Sequence, residues 1–191
     1  MERSEHELVE AYRGGDIQAL AELVERYRRP LLSFIIQMTG GQGDADDVHQ
    51  EVWLRAIRSL GSFENKSFLS WLFRIAHNLV IDRSRSSRKF VSLEAEAAEG
   101  GALEDYLPAK GRSPDEEAAC RDLGTRVRQL VGNLPAEQKE VFVMRTEGGL
   151  PFREIARIQR VSINTALARM QYALAKLRKE LRAEHGGETI A

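Results

Sequence analysis

Little in this chain could staple it or anchor it. Its 191 residues include one cysteine, Cys120, so no disulfide can form within the chain and a reducing cytoplasm fits best. No apolar run approaches the roughly 20 residues of a membrane span. The opening MERSEHELVEAYRGGD has no hydrophobic signal-peptide core, so neither secretion nor membrane insertion is expected. No convincing strand alternation interrupts the helical periods. P-loop, HExxH and GxSxG patterns are all missing, which leaves an enzyme reading without support and calls for no cofactor. The densest set of possible ligands is Asp44, Asp46, Asp47, His49 and Glu51. On a helix Asp47 and Glu51 could pair, but Asp46 and His49 could not easily join them, and the glycine of a calcium loop is missing, so no metal site is expected.

What is present is charge, and it is segregated. The net charge is −1. Residues 1–65 carry 7 Lys/Arg against 12 Asp/Glu, a net of −5, and residues 66–89 carry 6 against 1, a net of +5. Residues 90–117 return to −6 (2 against 8), residues 118–152 stand at +1 (5 against 4), and residues 153–182 reach +6 (8 against 2). Two basic segments separated by an acidic one suggest two contacts with a polyanion. Solvated faces alone can also produce such blocks.

The first basic segment, SFLSWLFRIAHNLVIDRSRSSRK over 67–89, organises the first half. Ser67 is a good N-cap. Phe68, Leu72, Ile75, Leu79 and Val80 form one apolar face. Trp71, Arg74, Asn78, Asp82 and Arg85 form another, and Arg83, Arg85, Arg88 and Lys89 make the end cationic. An aromatic ring can stack on an unpaired base, an amide can bond a base edge, and arginine can grip phosphate. An ordinary amphipathic core helix would read the same way in isolation.

Upstream, a short helix from Glu5 to Tyr12 is expected, capped by Ser4 and stopped by Gly14–Gly15. Asp16 starts a second, IQALAELVERYRRPLLSFIIQM, which Pro30 should kink or divide. Asp44 is expected to cap a third, ADDVHQEVWLRAIRSL, with Asp46, Asp47, Gln50, Glu51 and Arg55 on its polar side. His77 lies beside the inward stripe, as a packed or surface imidazole.

Residues 90–114 break the pattern. Their Ala-, Glu-, Gly- and Pro-rich run reads as an acidic flexible tether. Helices follow from Asp115 to Val131 and from Leu134–Pro135 to Glu147. Then PFREIARIQRVS and INTALARMQYALAKLRKEL have the lengths of a helix-turn-helix. Ile155, Ala156 and Ile158 face inward on the first. Ser162 caps the second, whose buried stripe is Ala166, Met170, Leu174, Leu177 and Leu181. Asn164, Thr165, Ala168 and Arg169 are left on the outer face near its N-terminus, where a recognition helix meets base edges. A plain helical hairpin is the competing reading. The fold class is thus all-α: two small helical domains, 1–89 and 115–185, joined by the linker 90–114 and followed by a tail, 186–191.

The order of these pieces resembles a bacterial sigma factor of the extracytoplasmic-function group. DADDVHQEVWLRA, SFLSWLFRIAHNLVIDRSR and LPAEQKEVFVMRTEGGLPFREIA carry the resemblance, which spans Asp16 to Leu181. It implies conserved region two, then region four, in a subunit that binds core RNA polymerase and directs transcription initiation from promoter DNA. It implies that Asp46, Asp47, Gln50, Glu51 and Arg55 dock on the clamp helices of the beta-prime chain, with the beta subunit as a further contact. Phe63, Asn65 and Lys66, with Asn78 and Asp82, would take flipped bases of the minus-ten element, at a cost of a few kcal/mol per base that pocket and phosphate contacts must offset. Arg74, Arg83, Arg85, Arg88 and Lys89 would hold phosphates there. Ser162, Asn164, Thr165 and Arg169 would meet the minus-thirty-five element, flanked by Arg153, Arg157 and Arg160 on phosphate. The family is often restrained by an anti-sigma partner.

Some positions depart from the family's pattern. Gly is usual where Arg160 stands, and a non-Gly residue at positive φ costs about 1 kcal/mol. Gln159 replaces an apolar residue, and Leu167 and Tyr172 stand where Lys and Arg are common. Two other functions fit the second half: a free-standing helix-turn-helix regulator, and a degenerate sigma-like decoy. A regulator would need a ligand or dimer module in the first half, where an acidic helix and an aromatic-basic helix stand instead.

Overall fold

Helix ends are set by side chains that take up the first unpaired backbone N–H groups. In the computed structural model, which describes residues 3–41, 43–64, 67–90 and 114–186, helix α1 spans Glu5–Arg13 and carries a complete capping box. Glu7 N donates to Ser4 Oγ at 3.3 Å, and Ser4 N donates to Glu7 Oε2 at 2.6 Å. Asp16 Oδ1 accepts from Gln18 N and Ala19 N and starts α2, Ile17–Thr39, which Gly40 closes in the left-handed region at φ 80°. Pro30 sits inside α2 without dividing it, so of the two outcomes expected, a kink or a division, the division does not occur. Leu23, Tyr27, Leu31, Phe34 and Ile35 are buried on one face across the proline, and that continuous burial outweighs one missing hydrogen bond.

Helix α3 spans Ala45–Ser59. Asp44 sits at its N-cap without a side-chain cap hydrogen bond, which corrects the capping expectation. Its backbone is already helical (φ −88°, ψ −15°), whereas a capping carboxylate is aimed by extended backbone. A 3₁₀ turn, Leu60–Ser62, follows, and α4 spans Phe68–Phe90. Ser70 N donates to Ser67 Oγ at 3.3 Å, the cap expected there.

The core of this half is aromatic. Phe68 is fully buried, with the rings of Tyr27, Phe63, Trp71 and Trp53 within 5.4–6.3 Å of its centroid. Phe34 and Phe73 meet edge to face at 5.1 Å. The buried stripe of α4 is broader than its apolar period indicates. Phe73, Ala76 and His77 are buried alongside Phe68 and Leu72, because α4 packs on α2 and α3 and also on the second half.

That second half consists of α5 (Pro114–Gly132), α6 (Ala136–Thr146), α7 (Phe152–Gln159) and α8 (Ile163–Gly186). α7 and α8 form the helix-turn-helix. Ile155, Ala156 and Ile158 are buried on the first, and Ala166, Ala173 and Leu177 on the second. Arg160 turns the chain at φ 56°, ψ 44°, and it alone among the described non-glycine residues has positive φ. Its N–H reaches Arg157 O, and Val161 N reaches Ala156 O at 2.9 Å, so the turn is satisfied despite the strain.

The two halves are packed together, an arrangement that a flexible tether did not lead us to expect. α6 lies on α2, and α7 on α4. At the seam, His77 Nδ1 lies 2.6 Å from Glu140 Oε1, both residues being less than 10% exposed (7% and 3%). The two atoms share one proton across this contact. Gln159 Nε2 donates to Glu140 Oε2 at 2.7 Å, and Arg169 donates to Gln159 Oε1 at 2.8 Å. A relay therefore runs from α4 through α6 and α7 to α8. Beside it, an added Cβ at Gly148 would stand 2.8 Å from Met144 O and 2.9 Å from Phe73 Cζ, so only hydrogen fits.

Two stability predictions follow from these contacts. Arg160→Gly is expected to raise the unfolding temperature by about 2 °C, and Arg160→Val to lower it by more, because glycine relieves about 1 kcal/mol of left-handed strain while a β-branched residue adds to it. Equal melts for both variants would refute the strain. Glu140→Ala leaves buried His77 Nδ1 without its partner, while Gln159 Nε2 keeps Glu137 O, and is expected to cost about 1–3 kcal/mol in denaturant unfolding.

Candidate nucleic-acid interface

The cationic side of α4 borders a cleft. Ser62, Phe63, Glu64, Ser67, Ser70, Trp71 and Arg74 line it from the first half, and Glu154 of α7 from the second. Its wall is aromatic: the Phe63 and Trp71 rings lie 5.0 Å apart, and Phe63 meets Phe68 edge-on at 84°. Phe63 is only 8% exposed. In this closed arrangement it is packed into the wall of the cleft and offers no open stacking face. Trp71 is half-buried, with a ring that serves both packing and cleft.

Arg74 is exposed at the cleft, Asn78 is half-buried one turn on, and Asp82 and Arg83 are exposed beyond it. Asn65 and Lys66 lie outside the described residues, as do the side chains of Arg85, Arg88 and Lys89 and the linker 91–113. Several cleft residues were missed by sequence reasoning, Ser70 and Glu154 among them. Ser70 Oγ is buried and has no hydrogen-bond partner, and Glu154 brings a carboxylate from the other half. No periodicity marks either one. Ser70 differs from a core small residue only by its hydroxyl, and Glu154 reaches the cleft only through the packing of α7 on α4.

On the helix-turn-helix, Asn164 and Thr165 are exposed at the start of α8. Ser162 caps it: Thr165 N donates to Ser162 Oγ at 3.0 Å, and the two hydroxyls are 2.8 Å apart. Arg153, Arg157 and Arg160 are exposed, with Arg157 paired to Glu154 at 2.6 Å. Arg169 departs from the outer-face expectation. It is half-buried and committed to Gln159, because α8 turns that edge toward the seam.

The polar side of α3 is open. Asp46, Asp47, Gln50 and Arg55 are exposed, and Glu51 accepts from Arg55 Nε at 2.7 Å. That arginine holds the Glu51 carboxyl below its usual range. His49 faces inward and accepts from Trp53 Nε1 at 3.1 Å, with burial first and then Arg28 pushing its pKa down. A neutral imidazole already spent on Trp53 cannot join the nearby carboxylates. Among the described residues no group of three or more His, Cys, Asp or Glu is placed to hold a metal, and no helix is long and apolar enough to cross a membrane.

Comparison with known proteins covers both halves. The Sigma-70 region 2 family matches residues 23–90, and the Sigma-70, region 4 family matches residues 125–177. The chain is 32% identical to the ECF RNA polymerase sigma factor SigW of Bacillus subtilis over 171 residues, 88% of this chain and 91% of that protein. It is 33% identical to the ECF RNA polymerase sigma-E factor of Escherichia coli, over 85% of this chain and 86% of that one. Among solved structures, CnrH in complex with the cytosolic domain of CnrY is similar at a TM-score of 0.65 and 25% identity, covering 92% of this chain and 96% of that one. The sigma factor RpoE of Bartonella quintana, in complex with the anti-sigma factor NepR, shares the fold at a TM-score of 0.66 and 20% identity, covering 87% and 98%.

The cap at Ser162 supports the helix that carries Asn164 and Thr165. Ser162→Ala is expected to cost about 1 kcal/mol, read as a fall of roughly 2–4 °C in the thermal unfolding midpoint.

Proposed function

We propose a division of labour within a chain that belongs to the extracytoplasmic-function family of RNA polymerase sigma factors. The first domain takes core polymerase and the minus-ten element, and the second takes the minus-thirty-five element. The polar side of α3 is the polymerase contact. It is a row on one helix, with Asp46, Asp47, Gln50 and Arg55 exposed and Glu51 half-buried among them, suited to a partner of complementary charge. The α4 cleft takes an unpaired base of the non-template strand. The observation that carries this reading is the cleft itself: the Phe63 and Trp71 rings wall it, and Arg74 stands exposed at it.

Asn164 and Thr165, at the N-terminus of α8, read duplex base edges, and Arg153, Arg157 and Arg160 hold phosphate. The two elements lie about 25 base pairs apart, roughly 85 Å of duplex at about 3.4 Å per pair. With Glu154 of α7 on the α4 cleft, both faces cannot engage such a span together. Promoter binding therefore requires the halves to separate, and core polymerase is the agent that holds them apart. The protein has no catalytic activity of its own and works in the cytoplasm. An anti-sigma protein that covers both halves is its natural antagonist. Matches to both regions in order do not favour a free-standing regulator.

The test mixes the protein with sigma-free core polymerase and genomic fragments, beside protein alone on the same DNA. Promoter-specific transcripts that need both components are expected; duplex binding without core would refute the reading. In the holoenzyme, Asn164→Ala is expected to cost about 1–3 kcal/mol and relax specificity at one minus-thirty-five position. Arg153→Ala is expected to weaken all sequences alike and lower the salt slope of binding by about 0.9.

A further inference from the structure

The junction between α3 and α4 is unfinished on its own. The 3₁₀ turn after α3 ends with carbonyls pointing out of the helix, and α4 begins with free N–H groups, as every helix end does. Helix α1 supplies both missing partners. Arg13, its last residue, donates from Nη2 to Phe63 O at 2.6 Å and to Leu60 O at 2.8 Å, with Gly61 O beside them at 3.4 Å, while Nη1 holds Glu10 at 2.6 Å. At the other end of α1, Glu5 Oε1 accepts from Phe68 N at 2.5 Å, and Oε2 accepts from Tyr27 Oη at 2.5 Å. Burial, and then the Glu5 carboxylate, push the Tyr27 hydroxyl's pKa upward, so it stays a donor. A cation thus meets the carbonyl end of one helix and an anion the N–H end of the next, each the favourable sign.

We propose that α1 is a clamp that positions the minus-ten loop, with Arg13 and Glu5 as positioning residues for base recognition. This rests on the sigma reading above. Helix α1 lies outside the region-two match, which begins at residue 23. The residues it grips, Leu60, Gly61, Phe63 and Phe68, stand just before the cleft helix reaches Trp71 and Arg74. A guanidinium fork can hold several carbonyls in fixed directions, whereas an ammonium is a single rotating point of charge. The ring of Phe63 follows its own carbonyl, so freeing that carbonyl loosens the wall of the cleft. Displacement of a site by about 1 Å can cost on the order of 100-fold.

Helix α1 is also tied to α2, through Arg3 on Asp16 at 2.9 Å and on Glu22. These contacts do not touch the loop, which makes Arg3 a control for general loosening. The experiment reconstitutes holoenzyme from core polymerase and the full chain, and measures open-complex formation on promoters with single-base changes in either element. Arg13→Ala is expected to lower discrimination among minus-ten variants about tenfold and to leave minus-thirty-five discrimination unchanged. Arg13→Lys, which restores charge but not the fork, is expected to fall between, and it serves where the alanine variant folds poorly. Arg3→Ala is expected to lower the unfolding temperature with minus-ten discrimination intact. The clamp is overturned if Arg13→Ala and Arg13→Lys discriminate normally, if Arg3→Ala reproduces their loss, or if both promoter elements lose discrimination together. Wild-type protein that starts no promoter-specific transcripts with core would instead overturn the sigma reading, and the clamp's role with it.

Discussion

A carboxylate buried between two domains must be fully partnered, and the closed form of this protein depends on that requirement at Glu140. At 3% exposure it is shut away from water. It shares a proton with His77 of α4 on one oxygen and accepts from Gln159 of α7 on the other. An unpaired buried charge costs far more than a satisfied one returns. The pairing therefore dictates which surfaces meet more than it adds to their attraction. Attraction comes from the apolar contacts around it, where Phe73 rests on the backbone of Gly148 and α6 lies along α2. The relay continues to Arg169, so the helix assigned to the DNA duplex and the helix assigned to the melted strand share one hydrogen-bonded chain.

The same economy of backbone groups governs the first domain. Ser4, Asp16 and Ser67 serve their own helices from neighbouring positions, while the junction of α3 and α4 also draws on α1 across the fold. Local caps belong to the short-range code. The long-range ones, Arg13 on Phe63 O and Glu5 on Phe68 N, are separated by 50 and 63 residues, and they tie the N-terminal helix to the cleft. The aromatic cluster around Phe68 then transmits that anchoring into the cleft wall through Phe63 and Trp71.

Much of this was legible in the sequence because it is short-range. Ser4, Asp16 and Ser162 cap where their positions before apolar runs indicate, and Ile155, Ala156 and Ile158 are buried as their period indicates. Arg160 adopts the left-handed turn that its place in the motif demands. What was not legible is what tertiary packing decides. Pro30 reads as a kink or a division, and a buried face carries α2 through it undivided. Asp44 has the right chemistry for a cap but the wrong backbone angles. Gln159 looks like a polar intrusion into an apolar position until Glu140 and Arg169 are placed on either side of it. His77 gives no sign of a partner 63 residues away. The cleft followed the same rule: Trp71 and Arg74 line it from the one helix face their spacing indicates, and the contributions of Ser70 and Glu154 were not legible.

The fit at Gly148 has a mechanical consequence. Phe73 and the Met144 carbonyl leave room there for a hydrogen and nothing more, and contacts this tight lose much of their attraction within 1 Å of separation. The carboxylate beside them cannot follow part-way, because a slightly parted seam would strand it dry before water could reach it. The two halves therefore have no comfortable intermediate spacing. Such a joint works as a detent: it resists small displacements stiffly and then releases as a whole. Whatever opens this protein must carry it past that step in one motion, and cannot pry it apart by degrees.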